Sequence, residues 1–360
     1  MTEVLPSIPG QQVTGSTLYE LRRLVGELAR TGRPAFPGSQ PVSFTRTHTI
    51  PELLNEDYFV CEKSDGVRVL ILMVLTPNGP QTYFITRKNE YYLAPYTCFP
   101  VPNNERFDQF HHKTLIDGEL VIDTEPDGRQ VRKLLGFDVL CVSGTSCMER
   151  TLESRLGYLN DHIIRPFNRM CRRVSPDYAR NIPIIAEMKS FQRSYGVPLL
   201  YNEVIPKLKH KSDGLIFTSV SAPYSPGTCQ KIIKWKPAGE NSIDFKLRVI
   251  QDPIPQIILM VWHGENKYVD YGSMAMRNED WLSKFSLIPD LDGRIAEVVY
   301  DPKYSPPALW RFMRFRDDKP HGNHVSVVDR IIESIQDNLE LDELNQYMPQ
   351  IRDNWKRRHA

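Results

Sequence analysis

From Tyr58 onward the chain is built of short β-rich runs closed by Gly, Asn or Asp: 58–63, 67–75, 82–86, 114–122, 134–142, 214–220 and 231–236. Runs of this length with such punctuation read as strands joined by tight turns. Helical stretches interrupt them near 148–164 and 197–208. The pattern predicts an α+β domain with antiparallel sheets. Ahead of it, Ser16–Arg30 carries Leu18, Leu21, Leu24, Val25 and Leu28 at helical spacing, with Thr17 and Glu20 suited to a capping box and Gly32 to the stop. Residues 36–44 (FPGSQPVSF) read as a Pro-punctuated loop.

Pro237–Gly239 is a hinge-like turn. Beyond it, strand-like runs recur at 243–250, 256–263, 267–271, 294–300 and 310–316. Five short strands in so few residues suit a small barrel such as an OB-fold. The tail from Val325 to Trp355 reads helical, with Val328, Ile331, Ile332, Ile335 and Leu339 on one face. The expected organisation is therefore residues 1–238, a barrel over 239–325 and a helical segment over 326–360.

Composition removes several alternatives. Lys and Arg number 45 against 44 Asp and Glu, a net +1, so binding to nucleic acid or membrane must come from local patches. A hydrophobic fraction of 41% excludes a disordered chain. The longest apolar stretch, Val69–Leu75, is far short of the roughly 20 residues of a membrane-crossing helix, and the first residues do not read as a signal peptide. Six cysteines form neither a Cys-x-x-Cys pair nor a zinc-spaced set. Reduced, buried thiols in the cytosol or nucleus are expected.

Chemistry concentrates first in EKSDGVRVLIL (62–72), where a lysine precedes Asp-Gly by two residues. Chance supplies that spacing in about one chain of this length in ten. Asp-Gly between β-rich runs is also a hairpin turn, and such pairs stand at 65, 117, 127, 213 and 292. Downstream, in order, come IDGELVID (116–123), LLGFDVL (134–140), KSDGLIFT (211–218), KIIKWKP (231–237), NSIDFKL (241–247) and RFRDDK (314–319). The series resembles the covalent nucleotidyltransferases, the superfamily of mRNA capping enzymes and polynucleotide ligases. FPGSQPVSF, the KWKP form and the Arg-x-Asp-Lys ending are similar to mRNA guanylyltransferases. Without a His-Cys-(x)5-Arg phosphatase loop, the chain resembles the monofunctional fungal type.

That resemblance implies a reaction and a set of roles. Lys63 would attack the α-phosphate of GTP, form a lysine–GMP phosphoramidate and expel pyrophosphate. A free lysine, with a pKa of about 10.4, is protonated at neutral pH, and nearby positive charge favours the neutral nucleophile. Lys234 and Lys236 alternate along a strand and share a face; the resemblance puts that face at the α-phosphate. Glu119 is similar to the glutamate that accepts from the ribose hydroxyls, and Arg68 and Arg87 to ribose-contacting arginines. Asp213 resembles the carboxylate that helps place a divalent cation, Mg²⁺ or Mn²⁺, though its Asp-Gly is equally a tight turn. Asp244 fills the family's second acidic position after the Lys-x-Lys strand, which the resemblance implies acts in the GTP site through water or the metal.

Phe137 lies where the family stacks a ring on guanine, and is equally a core candidate. Lys189 matches the residue that reads the guanine edge, whose O6 and N7 accept hydrogen bonds. Arg316 and Lys319 would engage the β- and γ-phosphates, supported by Asp318; a basic RNA-binding rim is the alternative. One position departs from the pattern: Thr228 stands where related enzymes often carry Arg, with Lys231 the nearest cation. The resemblance also implies a nuclear protein that joins GMP to a 5′-diphosphate RNA end. It would bind the phosphorylated C-terminal tail of RNA polymerase II and work with a separate RNA 5′-triphosphatase. An ATP-dependent RNA or DNA ligase and a non-catalytic RNA- or polymerase-tail-binding scaffold are the competing readings.

Overall fold

Residues 69–74 are apolar without alternation because both faces of their strand are covered. In the computed structural model, Val69, Ile71 and Met73 enter one core cluster while Leu70, Leu72 and Val74 enter another. The structure describes residues 6–251, 255–276, 281–301, 309–317, 319–337 and 339–360. Two compact units emerge. The first comprises the chain up to Ser43, Pro51–Trp235 and Tyr347–Ala360; the second comprises Phe44–Ile50 and Lys236–Gln346.

The strands of the first unit are β1 (Gln11–Gln12), β2 (Ser39–Ser43), β3 (Tyr58–Ser64), β4 (Val67–Thr76), β5 (Gly79–Thr86), β6 (Tyr91–Ala94), β7 (Thr114–Thr124), β8 (Gln130–Val142), β9 (Thr145–Ser146), β10 (Ile185–Met188), β11 (Gln192–Arg193), β12 (Ser212–Ser219) and β13 (Gly227–Trp235). They form two sheets. The larger is ordered β1–β6–β5–β4–β7–β8–β10 with β9 against β8, and the smaller β11–β3–β12–β13–β2. Pairing is antiparallel except at two edges, where β10 runs parallel to β8 and β2 parallel to β13. Helix Gly15–Leu28 covers one face of the larger sheet through Leu21 and Val25. Leu159, Ile163, Ile164, Phe167 and Met170, from the helical stretch Leu152–Cys171, cover the other.

Two local expectations are corrected. The first helix begins at Gly15, and its N-cap is Thr14, whose side chain makes no capping bond. Thr17 and Glu20 therefore lie inside the helix and form no capping box. The supposed loop 36–44 contains β2, an edge strand. Pro41 lacks the N–H a central strand would need, and an edge position tolerates that loss. Among the described cysteines all six are free thiols, with Cys61, Cys141, Cys147 and Cys229 buried. No helix of the described residues is long and apolar enough to cross a membrane.

In the second unit β14 (Ser242–Ile250), β15 (Gln256–Trp262), β16 (Tyr268–Ala275), β17 (Ile295–Tyr300) and β18 (Trp310–Phe315) close in the order β14–β15–β16–β18–β17. The β16–β18 pairing is parallel and the others antiparallel, the topology of the expected OB-fold. Helix Val325–Gln336 packs Val328, Ile331, Ile332 and Ile335 on the barrel core. The tail is not one continuous helix: Asp337 caps the first, and a second runs Leu341–Arg358. Within the first unit, Trp355 of this last helix stacks on Phe59 at 6.2 Å between ring centroids. Asn354 Nδ2 donates to the Leu54 carbonyl at 2.8 Å.

Candidate active site

The Asp65-Gly66 pair is not a hairpin. β3 belongs to the smaller sheet and β4 to the larger, so the chain crosses between sheets at this dipeptide. Gly66 is demanded by space: a Cβ there would lie 2.3 Å from the Leu120 carbonyl oxygen. The crossing places Lys63, one residue before the end of β3, in a cleft lined by both sheets.

Asp213 reaches Lys63 through a second irregularity. Pairing of β12 with β3 shifts register between Ser212 and Leu215, and Gly214 takes φ +148°. Such a bulge re-aims the side chain it carries. Lys63 Nζ donates to Asp213 Oδ1 at 2.6 Å, with the two side chains 25% and 20% exposed. Asp213-Gly214 thus makes the irregular turn and also presents the carboxylate. Across the smaller sheet, Cys61 pairs with Ile216 and Ile216 with Lys234. Residues directly opposite share a face, so Lys234 lies on the face of Cys61, Ile216 and Ile232, which line the cleft. Lys236 lies beyond the end of β13, at the start of the second unit. Lys231, on the opposite face, is held by Glu56 at 2.5 Å and Glu52 at 3.7 Å, and does not take the place of the missing arginine at Thr228.

The far wall comes from β4, β7, β8 and the end of β10. Arg68 and Glu119 are opposite one another across β4 and β7. Arg68 is buried and bonds Asp117 twice, Nε to Oδ1 at 3.0 Å and Nη2 to Oδ2 at 2.7 Å, and donates through Nη1 to the Ser39 carbonyl. Tyr224 donates its hydroxyl to the same Asp117 and accepts from the Ser39 N–H at 3.2 Å. This network, centred on Asp117, ties β2 to the larger sheet. The Asp117 carboxylate outweighs the desolvation of Arg68, which raises its pKa further.

Glu119 lies among Lys189, Arg68, Arg87 and Lys63, yet burial dominates and pushes its pKa above the ordinary carboxylate value. Arg87 is lowered, first by desolvation and then by the charge of Arg68. Phe137 is half-buried in the cleft, with the Arg68 guanidinium 5.4 Å and Lys189 Nζ 5.9 Å from its ring centroid. Lys189, just past β10, is anchored by its N–H to the Gly136 carbonyl at 2.8 Å. Burial opposes its ammonium, but Cys61, Glu62 and Glu119 leave its pKa raised. The neighbouring Cys61 thiol is pushed up to about 12 by burial.

One cleft therefore gathers Lys63, Arg68, Arg87, Glu119, Phe137 and Lys189, with Asp213 on Lys63 and Lys234 on the same sheet face. Asp244, Arg316 and Lys319 belong to the barrel and form their own cluster. Arg316 Nη1 lies 3.3 Å from both Asp244 Oδ1 and Glu297 Oε2, and Lys319 Nζ donates to Asp244 Oδ2. Glu297 also accepts from Ser242 at 2.6 Å and Arg314 at 2.8 Å. Those bonds overcome its burial and lower its pKa. Asp318 lies outside the described residues. Sequence reasoning missed Asp117, Tyr224 and Glu62; Asp117 and Glu62 had one signal each, their places within the IDGELVID and EKSDGVRVLIL runs.

Residues 4–238 match the family model for the mRNA capping enzyme catalytic domain, and residues 240–345 the model for its C-terminal domain. The mRNA-capping enzyme subunit alpha of Schizosaccharomyces pombe is 36% identical, with 96% of this chain and 88% of that protein aligned. Its Yarrowia lipolytica counterpart is also 36% identical, over 100% of this chain and 94% of the relative. The mRNA-capping enzyme of Danio rerio is 28% identical over 91% of this chain but only 52% of its own length. By these two matched domains and its near-full-length likeness to the fungal alpha subunits, the chain belongs to the mRNA capping enzyme family.

Proposed function

We propose that Lys63 is the nucleophile of this capping enzyme's GTP:RNA guanylyltransferase reaction. Lys63 Nζ attacks the α-phosphorus of GTP, the bond to the β-phosphate oxygen breaks, and pyrophosphate leaves as the amine gives up a proton. In the second step an oxygen of the RNA 5′-diphosphate attacks the same phosphorus. The P–N bond then breaks, the lysine regains a proton, and the product is GpppN. One observation carries the assignment: Lys63 faces Asp213 at 2.6 Å in the cleft that also holds Glu119, Phe137 and Lys189.

The remaining roles follow from charge and shape. Lys234 and Lys236 neutralise the α-phosphate; Glu119, with Arg68 and Arg87, holds the ribose; Phe137 stacks on the base; Lys189 donates to its edge. Arg316 and Lys319, assisted by Asp318, hold the leaving pyrophosphate, and Asp244 positions both cations. In this division of labour residues 1–238 carry the covalent chemistry, 239–325 the lid and 326–360 the supporting helices.

Among the described residues no three His, Cys, Asp or Glu side chains gather into a metal cluster. A single carboxylate, Asp213, fits a hard Mg²⁺ or Mn²⁺ ion that takes its other ligands from phosphate oxygens and water. Such an ion would neutralise phosphate charge.

The subunit alpha designation of the relatives supports a partner subunit, which we assign as an RNA 5′-triphosphatase. Action in the nucleus and docking on the phosphorylated RNA polymerase II tail belong to the same proposal. The test is covalent labelling with α-labelled GTP. The protein should retain label through denaturation in an acid-labile, alkali-stable bond, mapped to Lys63 by mass spectrometry and absent from folded Lys63→Ala. Preferential labelling by ATP would favour the ligase reading; no labelling would favour the scaffold.

A further inference from the structure

Behind Lys189 lies a run of buried charges that the reaction steps leave unused. Glu62 precedes Lys63 on β3 and is 2% exposed. Its Oε1 lies 3.7 Å from Lys189 Nζ, accepts from Ser64 Oγ at 3.0 Å, and stands 4.0 Å from His210 Nε2. On its other side His210 Nδ1 meets Asp123 Oδ1 at 2.7 Å. Asp123 Oδ2 bonds Lys133 Nζ at 2.7 Å, and Lys133 continues to Glu187 at 3.0 Å, two residues before Lys189. Glu62 Oε2 and His210 Nε2 are buried with no hydrogen-bond partner among the described residues.

A buried charge network is an expensive way to fill a core, since apolar side chains of similar volume are usually as stable or more so. Partly satisfied polar networks are costlier still. This one keeps two unsatisfied buried atoms, and it meets the cleft where Lys189 and Ser64 line the wall. Hydrocarbon in place of Glu62 would leave Lys189 without its nearest carboxylate in a site where burial disfavours its charge.

We propose that the buried Asp123–His210–Glu62 chain fixes Lys189 in its base-reading position, making Glu62 and His210 positioning residues for guanine selectivity. The inference rests on the assignment of Lys189 to the guanine edge. Glu62 sets the direction of the ammonium through Oε1. His210, held by Asp123, stands 4.0 Å from that same oxygen without a hydrogen bond and confines it by charge and packing, and the return through Lys133 and Glu187 braces the strand that leads into Lys189.

The test compares covalent labelling by GTP with labelling by 2-aminopurine riboside triphosphate, which lacks O6. Rates at subsaturating nucleotide are measured on the intact, folded protein. Lys189→Met should erase the GTP preference. Glu62→Gln and His210→Ala should each cut that preference at least about fivefold, the low end of a base-edge contact, while labelling by the analogue stays within about twofold. His210→Gln, whose amide nitrogen can reach the Nε2 position, should restore part of what His210→Ala loses. Should Glu62→Gln fail to fold, Glu62→Asp, which keeps the charge and shortens its reach, takes its place with the same expectation. A Lys189→Met protein that still prefers GTP overturns the assignment of Lys189 and this proposal with it. If Lys189→Met loses the preference while the Glu62 and His210 variants keep it, or slow both nucleotides equally, Lys189 stands and the positioning role falls.

Discussion

Asp117→Asn tests whether the cleft is built around a buried ion pair. The side chains of Arg68 and Asp117 are 7% and 0% exposed, so neither charge has water to fall back on. Removing the carboxylate charge while keeping the shape leaves the guanidinium buried and uncompensated, a loss of about 3–5 kcal/mol. At an m-value of about 2 kcal/mol/M, the urea midpoint of the first unit should drop by about 1.5–2.5 M, read by circular dichroism. Arg68→Met combined with Asp117→Leu should recover part of this, because apolar pairs often replace buried ion pairs without loss. The remainder is the cost of the Ser39 carbonyl, which loses the Arg68 donor, about 1–3 kcal/mol; the Tyr224 hydroxyl still accepts from the Ser39 N–H. A loss from Asp117→Asn below about 1 kcal/mol, the range of exposed pairs, would refute the reasoning. So would a double variant less stable than the sum of the single ones.

Other outcomes follow from the same geometry. Because burial raises the Glu119 pKa, the carboxyl costs folding stability progressively as pH rises from its unfolded value through the raised folded one, and no further above that. Glu119→Gln should therefore match the parent Tm in acid and exceed it increasingly as pH rises through that range, while labelling with GTP falls; a gain that shrinks with pH contradicts this. Arg316→Ala or Lys319→Ala should slow Lys63–GMP formation yet leave transfer from preformed adduct to RNA intact, and equal loss in both single-turnover steps would exclude a leaving-group role. Phe137→Ala should weaken labelling by GTP and ATP alike, by roughly 1–3 kcal/mol, since stacking does not read the base edge; a loss confined to one nucleotide argues against stacking.

What was legible in the sequence followed local rules. The β-rich runs became β3, β4, β5, β7, β8, β12 and β13, and five further runs closed into the barrel. What escaped depended on distant partners. Ser39–Ser43 looks like a loop because Pro41 interrupts it, and its strand character comes from parallel pairing with β13, nearly two hundred residues away. Asp-Gly at 65 had two readings that only sheet membership separates. The charged motifs brought Lys63, Glu119, Phe137 and Lys189 into one cleft. The carboxylates beneath them stood inside the motifs without a readable role: beyond membership of those runs, nothing local distinguishes Glu62 from a solvated strand residue, or Asp117 from a turn aspartate. Lys231 shows the converse, a nearby cation in sequence that strand alternation turns away from the cleft toward Glu56.

These internal carboxylates separate two kinds of cation. A cleft that must receive a triphosphate needs several positive groups close together, and without substrate they repel one another and lose hydration. Three of them are met by an acid, Lys63 by Asp213, Lys189 by Glu62 and Arg68 by Asp117; in the barrel, Arg316 and Lys319 share Asp244. Exposure decides which partnerships a phosphate can displace. The Arg68–Asp117 pair is sealed from water, so exchanging Asp117 for a ligand would strand a buried carboxylate, and Arg68 keeps its framework role whatever else it touches. Lys63 and Asp213 are about one-quarter and one-fifth exposed. Water or an incoming anion can take over there at modest cost, because screening makes partly exposed pairs weak. The lysine assigned to the moving phosphorus thus carries an exchangeable pair. Lys189, the lysine assigned to the base edge, sits with the fixed ones, as selectivity would demand of a group that must hold one direction before the nucleotide arrives.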